Sequence, residues 1–97
     1  MGNVDKGNNK DLSAIKSSLR TYITDSLLPG SGIESFEDGD SFLGKGIIDS
    51  TGILELLEFI EGKFQIHVED DEVVPDNLDS LDKLSSFIHR KTGNERP

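Results

Sequence analysis

Apolar residues recur at helical spacing in three stretches of this chain. Leu12, Ile15, Leu19, Ile23 and Leu27 step by three and four and trace one face, with Tyr22 beside it. "LLPGSG" ends that helix, because Pro29 cannot continue it and Gly30 permits a turn. Ile53, Leu56, Leu57, Ile60 and Phe64 mark a second helix, expected from Ser50 to Gly62. Asp49 suits its N-cap, and Gly62 with Lys63 suits its C-terminal end. Leu81, Leu84, Phe87 and Ile88 mark a last helix from Leu81 to Lys91, with Ser80 as its cap.

The segments between are less regular. Residues 30–49 read as a long loop, and Phe36, Phe42, Leu43, Ile47 and Ile48 give it apolar anchors. "FQIHV" is extended, with Phe64, Ile66 and Val68 alternating inward. "EDDEVVPDNLDS" holds at most one short helical turn, near Pro75 to Leu78. The expected fold is all-α: a small bundle of three main helices plus a short helical turn, with the long loop between helices one and two. Residues 1–10 read as a disordered tail, 11–91 as the domain and 92–97 as a frayed tail.

Charge changes the picture. The net charge is −9, concentrated in residues 34–82, where fifteen acids face only Lys45 and Lys63 for a balance of −13. So acidic a middle repels phosphate backbones, which argues against nucleic acid as a partner. Basic protein surfaces are the natural complement, unless the acids only keep a small domain soluble. The absence of cysteine removes thiol catalysis and fits a reducing compartment. No apolar run approaches a membrane span, and the N-terminus lacks a signal core. It starts Met-Gly, but Lys6 stands where the myristoylation pattern needs Ser or Thr. A cytoplasmic, monomeric protein is expected.

Few side chains offer chemistry. A nucleophile elbow around Ser50 would need glycine where Ile48 stands, and His67 and His89 read as surface residues rather than bases. "DGDSFLGKGIID" opens like a calcium loop at Asp38 and Asp40. Phe42, Leu43 and Asp49 then occupy positions that the loop cannot accept, so no metal site is expected. Ser50 remains. A serine at a helix start serves most simply as part of a cap. The same position also suits a phosphate ester, since the helix end favours an anion and the side chain projects from a rigid element. Asp49 beside it would help position a metal during phosphate transfer.

"GIIDSTGILELLEFIEGKFQIHV" resembles the acyl carrier protein superfamily, which includes aminoacyl and peptidyl carrier domains. The resemblance runs from about Leu12 to Lys91. It covers a first helix, a long loop, Asp-Ser, an acidic second helix, a Phe-x-Ile/Val segment, an acidic stretch and a short last helix. It implies a carrier rather than an enzyme. Ser50 would bear a 4'-phosphopantetheine arm taken from coenzyme A, with Asp49 as the motif's acid. Glu55, Glu58 and Glu61 would face partners. Those partners would be a phosphopantetheinyl transferase, an acyl or aminoacyl loading ligase and downstream enzymes with basic docking patches, in fatty acid, polyketide or amino-acid and secondary-metabolite pathways. Thr51 and Gly52 depart from the family, whose commonest residue after the serine is Leu or Met. They form a small, polar rim selecting a partner or cargo, or they reflect a tolerant site. The competing reading of the chain is an acidic helical interaction module without a covalent group. Asp79-Ser80-Leu81 copies the family's local motif more closely than Asp49-Ser50-Thr51 does. Too little chain follows it to supply the acidic helix and extended segment, so Ser80 is expected to be only a cap.

Overall fold

A computed structural model describes residues 11–93. It is all-helical over that span, with no strand among the described residues. The first helix, α1, runs Leu12–Tyr22. It is capped by the Asp11 carboxylate and continues into a π-helical turn, Ile23–Leu27. Helix α2 spans Ser50–Phe64, α3 is the single turn Pro75–Leu78, and α4 spans Leu81–Gly93. A 3₁₀ turn, Asp70–Glu72, precedes α3. No described helix is long and apolar enough to cross a membrane.

The core is where the spacing placed it. Ile15, Leu19 and Ile23 of the first helix, Leu56, Ile60 and Phe64 of α2, and Leu81, Leu84, Phe87 and Ile88 of α4 are all buried. Ile66 and Val68 turn inward as the alternation required. Burying this apolar surface is the main favourable term in the fold. Leu12 is 38% exposed, because the first turn of α1 overhangs the core. Leu43 is 51% exposed although its neighbour Phe42 is fully buried. Ile53 and Leu57 are half-buried at the edge of the cluster.

Several boundaries differ from the sequence expectation. Helix α2 does not stop at Gly62. It runs to Phe64, and Gln65 ends it in the left-handed conformation (φ 58°) with its N–H donated to the Glu61 carbonyl. The 3₁₀ turn lies in a stretch whose sequence pattern predicts a helical turn only near Pro75 to Leu78. It is made by a reciprocal capping box, in which the Glu72 carboxylate accepts the Glu69 N–H at 2.9 Å. Helix α4 continues two residues past Lys91. Thr92, expected to fray, is buried and bonds back to the His89 carbonyl at 3.1 Å. The tail expected over residues 1–10 and the last four residues of the one expected over 92–97 lie outside the described residues.

Bases from outside the acidic stretch reach into it. Lys16 sits 2.9 Å from Asp82 and 3.3 Å from Asp38, Arg20 pairs with Asp38, and Lys91 lies 2.9 Å from Glu72. The Arg20 guanidinium also donates to the Phe36 carbonyl at 2.9 Å and covers the Phe36 ring at 4.4 Å. The long loop is thereby tied to α1 and α4.

Candidate functional site

Asp49 does the capping work at the start of α2. Its carboxylate accepts the Gly52 N–H at 2.8 Å and its carbonyl accepts the Ile53 N–H at 2.9 Å. Ser50 therefore falls one position inside the helix. Its side chain is exposed, and the cap does not need its hydroxyl. The backbone entering this site is firmly held. Ile47 and Ile48 are each 3% exposed, and both their N–H groups donate to the Phe42 carbonyl, at 2.8 and 3.2 Å. An anion at Ser50 would meet the positive end of a fifteen-residue helix.

The two residues after Ser50 differ from each other. Thr51 is exposed. Gly52 is buried, and a Cβ built on it would stand 2.6 Å from the Ile48 Cγ2 methyl. Glycine at position 52 thus has a steric reason: it lets the buried isoleucine of the approach pass beneath the first helical turn.

Beside Ser50 lies an open cleft of about 430 Å³ between the π-helical turn and the start of α2. Its walls include Ser26, Ser31, Asp49, Thr51, Gly52 and Glu55. A second, smaller cleft of about 110 Å³ is apolar, lined by Leu43, Ile53, Val73, Val74 and Leu78 among others.

The three acids of α2 divide into two kinds. Glu55 and Glu58 are exposed. Glu61 is half-buried and has a use within the fold: it accepts the Val68 N–H at 2.8 Å and lies 3.4 Å from His67 Nδ1. It holds the extended segment against the end of α2, a role that helical spacing alone does not reveal. Tyr22 stacks on Phe59 at 4.0 Å beside the acidic face. Burial, then the charges of Glu55 and Glu58, hold its phenol above the ordinary tyrosine range.

The second Asp-Ser pair is arranged differently. Ser80 is 3% exposed, and its hydroxyl accepts the Lys83 N–H at 3.0 Å, capping α4 as expected. The Asp79 carboxylate accepts the Leu43 N–H at 3.0 Å and the Ser41 hydroxyl, while its carbonyl accepts the Phe42 N–H at 2.9 Å. Asp79 staples the long loop to the junction of α3 and α4.

The remaining candidates are otherwise occupied. Arg20, then Lys16, hold the Asp38 carboxyl below its ordinary range. The Glu37 backbone N–H, at 2.9 Å, does the same for Asp40, with Lys45 contributing. His67 follows the far end of α2, on the order of 20 Å from Ser50 at 1.5 Å rise per residue. His89 is an exposed residue of α4. A scan against protein-family models and a search of curated proteins returned no match to this chain.

Proposed function

We propose that this chain is a carrier protein, holding an acyl or aminoacyl group as a thioester on a 4'-phosphopantetheine arm attached to Ser50. One observation carries the reading. The Ser50 hydroxyl is exposed at a helix N-terminus, and Asp49 has taken over the capping that would otherwise occupy it. An uncommitted hydroxyl on a rigid element, with the positive end of a helix behind it, fits a phosphodiester. The chain then acts as a scaffold rather than as an enzyme.

Attachment requires a transferase with coenzyme A. The Ser50 oxygen would attack the β-phosphorus of the pyrophosphate. A phosphodiester forms, the bond to adenosine 3',5'-bisphosphate breaks, and the hydroxyl proton passes to a base on the transferase. When bound, the arm supplies a thiol for thioester exchange. This chain's residues contribute position. Ile47 and Ile48 fix the approach, and Asp49 fixes the helix start. Glu55 and Glu58, with Leu54 exposed to 63% one turn before Glu58, form a surface for a partner with basic residues around an apolar spot. A monomeric protein of the cytoplasm is part of this reading, and the net charge of −9 disfavours self-association.

The test is an intact mass of the purified protein, before and after incubation with coenzyme A and a phosphopantetheinyl transferase. A gain of one phosphopantetheine per chain is expected. An unchanged mass with several transferases would overturn the reading and favour an acidic interaction module without a covalent group.

A further inference from the structure

Two clefts flank the start of α2, and they differ in chemistry. The geometry points to the wider one as a docking site for the phosphopantetheine arm itself, an inference that rests on the carrier reading. Asp49 and Thr51, on either side of Ser50 in the chain, both line this cleft. An arm on Ser50 would therefore start at its rim, and tethering makes docking intramolecular. The volume of about 430 Å³ lies within the range of small-molecule sites.

The lining suits the arm beyond its phosphate. That portion is uncharged and presents two amide N–H groups and a hydroxyl as donors. The cleft offers acceptors: the carboxylates of Asp49 and Glu55 and the hydroxyls of Ser26 and Thr51. No Lys, Arg or His lines it; one Asp49 oxygen already accepts the Gly52 N–H, which leaves its other oxygen and the Glu55 carboxylate to accept from the arm. The narrower cleft is a poor alternative. It holds about 110 Å³, and its one charged wall residue, Asp79, is committed to Leu43 and Ser41. Amides buried there would lose their hydrogen bonds to water without replacement.

The far wall is itself unusual. Ser26 lies in the π-helical turn, closed by the Leu28 N–H donating to the Ile23 carbonyl at 2.9 Å. Such turns widen a helix and often mark functional positions. Across from it, Thr51 and Gly52, the two residues that depart from the family pattern, stand together in the near wall.

The experiment uses the full chain loaded with the arm, loading being verified first by mass. No mass gain would fail the carrier reading at that stage. Once loaded, the arm's thiol is titrated with an uncharged maleimide alongside free pantetheine. A thiol exposed only one-third of the time should react about threefold more slowly. Ser26→Trp, which fills the cleft, should restore the rate of free pantetheine, while Ser86→Trp on the exposed side of α4 should not. Loading should also shift the backbone amide resonances of Ser26 and Ser31, far from Ser50 in sequence. If Ser26→Trp does not fold, Thr51→Val supplies the variant, with partial restoration expected. Equal maleimide rates for the wild-type protein and free pantetheine would overturn the proposal, as would resonance changes confined to residues 49–52.

Discussion

The chain contains the dipeptide Asp-Ser twice at a helix start, and the two copies are used in opposite ways. At α2 the aspartate is the N-cap, and the serine falls one position further on, exposed. At α4 the serine is the N-cap and is buried, while the aspartate before it reaches away to the long loop. A shift of one residue in cap register separates a hydroxyl available for chemistry from one consumed by structure. Local sequence does not decide which copy leaves its hydroxyl free. What decides it is which member of the pair the helix uses to satisfy its first amide groups.

The sharpest way to break this comparison is to remove each serine. Ser50→Ala should abolish attachment of phosphopantetheine, and Ser80→Ala should leave it intact. Intact mass reads both. A modified Ser50→Ala protein would mean that the wrong copy has been chosen.

Core truncation comes next in size. Leu84 lies fully buried one turn beyond Ser80, so Leu84→Ala should cost about 2–5 kcal/mol in denaturant unfolding. Leu57, half-buried on α2, should cost clearly less when truncated. Equal losses would mean that the edge of the core is misplaced. Ser80→Ala should cost about 1 kcal/mol, the usual value of a lost cap. Ser50→Ala should be near neutral, because Asp49 still caps.

Docking should give a kinetic effect. Glu55→Lys with Glu58→Lys should slow loading of Ser50 at low salt and weaken its salt dependence, with the melting temperature little changed, since both side chains are exposed. Equal loading rates at low salt would move the docking surface off α2.

The smallest expected effect is in acid. Asp38, Asp40 and Glu72 are all held below their ordinary range, by Arg20, the Glu37 N–H and Lys91 respectively. A depressed folded-state value stabilises the fold above the unfolded value, near pH 4, and that contribution is lost as pH falls through the folded value. Arg20→Gln should remove the larger part of the Asp38 share, leaving that due to Lys16, and flatten the acid limb of a melting-temperature profile. An unchanged limb would show that Asp38 gains nothing from its partner.

Much of this architecture could be read from spacing. The buried faces of all three main helices, the end of the first at Pro29, and the caps at Asp49 and Ser80 follow from apolar period and cap chemistry. Contacts between distant segments could not be read that way. The Asp79 staple, the Glu61 bond to Val68 and the reach of Lys16 and Arg20 to Asp38 join residues that local pattern treats separately. Leu12 and Leu43 fit the apolar pattern yet stand exposed, because whether a face meets a partner depends on where its helix or loop ends. Gly52 is a further case. Its requirement comes from the Ile48 methyl, four residues earlier, and glycine alone does not announce it.

The Asp79 staple also sets an order of events. Its hydrogen bonds span 36 and 38 residues of chain, so closing them orders a long loop whose entropy the contact must repay. As the chain leaves the ribosome, α1 and α2 emerge before the residue that anchors the approach to Ser50. The platform bearing Ser50 is complete only after the α3–α4 junction has been synthesised and docked, so under the carrier reading proposed above a transferase would meet it on a finished domain rather than on a growing one.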